Sequence, residues 1–196
     1  MAGGRQSRYA YLILGLPLFA WFVLVYGGCD YLIGLHDYRV PLYFAFELSI
    51  PFVPATVLLY HSLHLAYSIT PYVLRTWPEL KAMVLVWALI TLAAAPVVLI
   101  LPFEVGYPPP AASELGPWRV LYELADDANL RYNSCPSLHV AWSIVCIDVF
   151  AGKAGRVGKV LLWGAGLMLS TVLLHQHHLA DVAADFALTM IGSRIL

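Results

Sequence analysis

Between residues 83 and 103 the chain carries no charged side chain. A helix needs about 20 mostly apolar residues to cross a bilayer. Inside the hydrocarbon, every backbone N–H and C=O must be paired within its own segment. A run of this kind therefore reads as a membrane-spanning helix. Residues 9–28 form a second such run. Residues 43–69 form a third, interrupted by Glu47, Pro51 and Pro54, which suggest a helix kinked or broken beside a protein-lined cavity. Residues 137–151 are a shorter fourth. The last apolar stretch, 157–196, is too long for one span. The polar cluster "HQHHLAD" (175–181) splits it into spans near 157–174 and 178–195. The expectation is an all-α polytopic membrane protein, with six transmembrane helices in one bundle and a single domain over 1–196.

Composition supports this. The chain is 61% hydrophobic and 12% charged, where a soluble domain shows roughly 25% charge. A net charge of -1 gives no general attraction to nucleic acid. With both termini in the cytoplasm, Arg5, Arg8, Arg75, Lys81, Lys153, Arg156, Lys159 and Arg194 face inward. Of the 11 basic residues only Arg39, Arg119 and Arg131 then face outward, as the positive-inside rule requires. The first span is too long for a signal peptide, and residues 26–29 make a poor cleavage site. It reads as a mature helix.

There is no long repeat and no low-complexity tract. Residues 104–136 are the longest non-membrane segment: a Pro-rich extended part, then "WRVLYELADDANLRY", which suits a short amphipathic helix at an interface. Cys29 and Cys135 both fall on the outer side, where an oxidising compartment would allow a disulfide. Cys146 reads as packing.

The topology places two polar motifs at one face. "PSLH" (136–139) opens the fourth span, and "HQHHLAD" lies in the turn between the fifth and sixth. A helix N-terminus presents unpaired N–H groups and a positive dipole end, which suits phosphate. Ser137 can cap such a helix and offer its hydroxyl to the ligand. His139 is close enough to donate a proton near neutral pH. His177 and Asp181 stand four apart, so on a helix they share a face. A carboxylate on one ring nitrogen fixes the tautomer and frees the other nitrogen to attack. His175 has no acidic residue four further on. Two other readings use the same residues. One is a zinc site among His139, His175, His177 and His178, with Asp181 behind it. The other is a polar cluster that binds an anionic headgroup without turnover.

Together the motifs resemble the type 2 phosphatidic acid phosphatase superfamily. "PSLH" is similar to its P-S-G-H signature. "STVLLHQHHLAD" (170–181) is similar to S-R-x5-H-x3-D, matching Ser170, His177 and Asp181, with Thr171 where Arg is usual. Leu138 in place of Gly is similar to the branch containing inositol phosphorylceramide synthases. The resemblance covers roughly residues 40–195. It implies a six-helix membrane fold and phosphoryl chemistry with no metal or cofactor. His177 would form a phosphohistidine, Asp181 would orient it, His139 would protonate the leaving oxygen, and Ser137 and Ser170 would hold phosphate. The first family signature, K-x6-R-P, is absent. Phosphoryl transfer needs positive charge on the non-bridging oxygens. Arg131 is the nearest substitute, followed by Arg119 and then Arg39. The implied activity is hydrolysis or transfer of a lipid-linked phosphate. The implied partners are a lipid phosphate substrate and membrane lipids. The implied location is a bacterial inner or plasma membrane, with the site facing outward.

Overall fold

The computed structural model describes residues 9–74, 76–130, 135–154 and 157–193. Arg5, Arg8, Arg75, Arg131, Arg156 and Arg194 lie outside them. The described chain is mostly helical, as expected. Its helices are α1 (Ala10–Phe22), α2 (Gly28–Ile33), α3 (Val57–Val73), α4 (Trp77–Ile100), α5 (Ala112–Leu115), α6 (Arg119–Ala128), α7 (Leu138–Ala154), α8 (Val157–Leu173) and α9 (Leu179–Ser193). Two-residue strands β1 (Val40–Pro41) and β2 (Phe103–Glu104) pair in parallel. Two helical segments, Leu12–Ile33 and Trp77–Ile100, are long and apolar enough to cross a membrane.

The first of these contains a wide π turn, Val23–Gly27, between α1 and α2. It turns Tyr26 inward, and the Tyr26 hydroxyl donates to the Pro136 carbonyl at 2.7 Å. The helix expected over 43–69 is shorter than the sequence suggested. Pro51 and Pro54 remove two N–H donors and push the residues before them out of helical conformation. Short 3₁₀ turns at Ala45–Ser49 and Pro54–Thr56 come first, and α3 starts only at Val57. Glu47 therefore precedes the helix. The amphipathic helix expected after the Pro-rich stretch is α6. It buries Tyr122 and Ala125, three apart on one face, and leaves Val120 and Leu124 outward.

α7 is the central helix and packs on α3, α4, α8 and α9. Its Leu138 and Ala141 join Tyr26, Ile33, Ile90 and Val98 in one core cluster. Cys146 joins Leu18, Met83 and Trp87 in another. A third, around Val57, Tyr60, Tyr122 and Leu174, fixes α6 over the start of α3. Cys146 is buried in packing, as expected. The disulfide that the sequence would allow is not formed: Cys29 and Cys135 are both free and buried, and the Cys29 thiol faces the Ala95 carbonyl instead.

α7 and α8 approach most closely at Gly164, where a Cβ would overlap the Ile147 Cδ1. Small residues at such crossings let helix backbones meet. Gly164→Ala should therefore lower the melting temperature in detergent, because overpacking costs about 1–3 kcal/mol against a helix-propensity gain of about 1 kcal/mol. Ile147→Ala removes both carbons that would overlap, Cδ1 and Cγ1, so in that background the same change should become neutral or stabilising. An equal effect in both backgrounds would disprove the contact.

Candidate active site

Ser137 caps α7, and its carbonyl accepts the Ala141 N–H at 3.1 Å. It is buried at the N-terminal end of that helix. The turn between α8 and α9 comes to meet it. His175 takes a left-handed backbone, with φ 57°, which reverses the chain within a few residues. The Thr171 carbonyl accepts two N–H groups, from Gln176 at 3.0 Å and from His177 at 3.2 Å. This closes α8 and aims His177 at α7. The Ser137 Oγ and His177 Nε2 are 2.9 Å apart. Residues 40 apart in sequence thus share one hydrogen bond.

The other ring nitrogen, His177 Nδ1, lies 3.6 Å from the Asp181 Oδ2. The same oxygen accepts the His178 N–H at 2.9 Å. Asp181 is the third residue of α9, and a carboxylate there reaches back to the N–H at the helix start. It stands three residues after His178 as well as four after His177, and the structure uses both spacings. With the Nδ1 proton turned to Asp181, Nε2 accepts from the Ser137 hydroxyl.

His139 is the second residue of α7. Its ring centre is 6.4 Å from that of His177, 5.4 Å from Tyr60 and 6.1 Å from His64. His64, His139, His177 and Ser137 line one cavity of about 1070 Å³. Glu123, Asp126 and Asp127 of α6 form an acidic rim on one side of it. The Tyr60 hydroxyl donates to Asn129 at 3.0 Å, and Asn129 donates to the Gln176 side chain, which ties α3, α6 and the catalytic turn together.

The remaining candidates are placed elsewhere. Ser170 is buried, and its hydroxyl donates to the Leu167 carbonyl at 2.6 Å. The structure does not bring it to the cavity. Arg131 lies outside the described residues. Arg119 is exposed and pairs with Glu123 at 2.6 Å. Arg39 donates to the carbonyls of His36 and Tyr38. Among the described residues no Lys or Arg lines the cavity.

His175 and His178 serve the scaffold. The Gly106 N–H donates to His178 Nε2 at 3.0 Å. His178 Nδ1 therefore carries the proton and donates to the Glu47 Oε2 at 3.2 Å. The rings of Tyr43, His178, Tyr107 and His175 stack in that order, with centres 4.8, 4.3 and 3.9 Å apart. Gly106 must be small, since a Cβ there would overlap the Tyr43 ring. The His175 Nε2 meets the Ile50 carbonyl at 3.0 Å. The four histidines of the zinc reading thus turn to different partners. Among the described residues no group of three or more His, Cys, Asp or Glu side chains is placed to hold a metal ion.

Two features escape a reading by motif. His61 and His64 stand on α3 with ring centres 5.4 Å apart, and their i, i+3 spacing on a helix was the signal for them. Glu47 is the second. It is fully buried, and its Oε1 accepts the Phe44 N–H at 2.8 Å. Its Oε2 accepts the Leu179 N–H at 2.7 Å as well as the His178 proton. No family model, curated relative or solved structure matches the chain.

Burial opposes the charge on Glu47, but the Phe44 and Leu179 N–H groups and His178 together outweigh it and hold the carboxyl below its ordinary value. A depressed carboxyl stabilises the fold above its unfolded value, here 4.5, and that stability is lost as pH falls through the folded value. Glu47→Gln puts an amide donor where N–H donors converge. It should cost about 1–3 kcal/mol at pH 7 and flatten the acid limb of the stability profile. Thermal melts of both proteins across the acid range check this. Parallel profiles would show that Glu47 does not hold the turn.

Proposed function

We propose that the chain is an integral membrane enzyme of six spans with both termini in the cytoplasm. It hydrolyses or transfers a lipid-linked phosphate at the outer face through a phosphohistidine on His177. The observation that carries this reading is that Ser137, His139 and His177 line one cavity, with the Ser137 Oγ on one ring nitrogen of His177 and Asp181 beside the other. The membrane part draws on the outward apolar side chains: Leu24 is 73% exposed, Ile100 70% and Leu162 76%. Such surface on three separate helices suits lipid rather than water.

The steps balance as follows. An entering phosphate ester takes the Ser137 hydroxyl as a donor to a non-bridging oxygen. This frees the His177 Nε2 lone pair, which forms the N–P bond. The P–O bond to the leaving group breaks, and His139, which takes up a proton from water as the anionic ester enters, gives it to that oxygen. Asp181 stabilises the positive ring through the Nδ1 proton. Neutral His139 then takes a proton from water or an acceptor hydroxyl. That oxygen bonds phosphorus and the N–P bond breaks.

A second reading has its own support. Ser137, His177 and Asp181 also have the order of a serine hydrolase triad, in which Ser137 would attack and His177 would act as base.

Rapid-quench trapping with a labelled lipid phosphate separates the two. The wild type should accumulate an acid-labile phosphoenzyme, and His177→Ala should form none. His139→Ala should fall about 10²–10⁴-fold, with partial rescue by a leaving group that needs no proton. Asp181→Asn should slow every substrate. Ser137→Ala should still form the intermediate, only more slowly. An acid-stable adduct that vanishes in Ser137→Ala would make serine the nucleophile instead.

Topology has a separate check. The three native cysteines are buried, so Lys159→Cys gives a clean label. In sealed right-side-out vesicles a membrane-impermeant maleimide should leave it unlabelled. Labelling without permeabilisation would invert the bundle.

A further inference from the structure

The cavity at the head of the bundle continues beyond the histidines. A second cavity of about 440 Å³ adjoins it, and Gly15, Leu18, Tyr67 and Trp87 line both. The two thus share walls from α1, α3 and α4. Three helices give its direction. On α1 the lining runs from Phe22 in the first part to Leu14 in the second, on α4 from Trp87 to Leu80, and on α3 from His64 to Tyr72. α1 and α4 run towards the catalytic end and α3 runs away from it, so each sequence steps away from His177. The stretch of α1 from Phe22 back to Leu14 is about 12 Å long. The far part is lined chiefly by apolar side chains, among them Leu14, Leu80, Met83 and Val84. Gly15 faces open space: a Cβ there would meet nothing within 4 Å.

We propose that this furrow between α1, α3 and α4 holds a hydrocarbon chain of the lipid substrate, and that Gly15 sets how bulky a chain it admits. The proposal rests on the reading of the site as a lipid phosphate enzyme. A phosphate ester at Ser137 and His177 has two ways to extend. Towards α6 it meets Glu123, Asp126 and Asp127, where an alkyl chain would cost those carboxylates their water. That side suits a hydroxyl-bearing acceptor or leaving group. Towards α1 and α4 it meets apolar walls shared by the two cavities. The chain takes the furrow, and the polar group takes the rim. Binding energy gained along the chain is then available to hold the phosphate in place for attack.

The test is photo-crosslinking in detergent, with phosphatidic acid that carries a diazirine at one chain terminus, followed by peptide mapping. Adducts should fall on the α1 and α4 peptides around Leu14, Leu80 and Met83. Gly15→Trp, which fills the open space, should lose them. The same variant should lower kcat/KM for dioleoyl phosphatidic acid about tenfold or more, while p-nitrophenyl phosphate stays within about twofold of the wild type. Adducts confined to other helices, adducts that survive Gly15→Trp, or an equal loss on both substrates would each overturn the furrow. If Gly15→Trp does not fold, the wild-type adduct map decides alone. A wild type that turns over neither substrate yet labels α1 and α4 would overturn the enzymatic reading and leave the furrow standing.

Discussion

The carboxylate of Glu47 organises the end of the fold where α7 and α9 begin. It lies in a short turn before α3, yet it receives the first N–H of α9 and the ring proton of His178. A buried anion is tolerated only when its acceptors are filled, and here they are. An anion at a helix start also meets the positive end of the dipole. His177 is next to His178, and Asp181 is two residues after Leu179. The carboxylate therefore fixes the position of both without touching either. The stack of Tyr43, His178, Tyr107 and His175 takes one ring from the segment before α3, one from the 105–111 loop and two from the α8–α9 turn. It holds the same turn from the side.

Much of this end was legible in the sequence, because its central geometry is local or nearly so. The i, i+4 spacing of His177 and Asp181 is a property of one helix start. The meeting of "PSLH" with "HQHHLAD" followed from counting apolar runs, and the 2.9 Å contact of Ser137 with His177 is its outcome. The all-α class and the amphipathic α6 followed from periodicity in the same way. What escaped was tertiary. Nothing near Glu47 in sequence announces that its partners are Leu179 and His178, and motif spacing cannot tell a ring that faces a cavity from one stacked between tyrosines. Pro51 and Pro54 marked a break, but whether a helix would kink or end there depended on Glu47 having somewhere to go.

The electrostatics of the cavity set its demands on a ligand. Its described lining offers imidazoles, hydroxyls and an acidic rim, with no Lys or Arg. In the proposed reaction the N-terminal end of α7 supplies part of the positive charge that a phosphate needs. His61, His64, His139 and His177 crowd together at that end.

The wide turn at Val23–Gly27 has a geometric consequence for the whole first helix. A π turn advances the hydrogen-bond ladder by one residue, and one residue is about 100° of rotation. The two halves of the helix are thus out of phase. The lower half places Leu14 and Gly15 along the furrow. The upper half turns Tyr26 to the Pro136 carbonyl and Ile33 into the core. A chain one residue shorter at this point would form a straight, regular helix and could satisfy only one half. Either the furrow wall would turn away, or the peptide before the site serine would lose its tie to Tyr26. The offset works as a phase-shifter, letting one helix serve the furrow wall at one end and the core at the other.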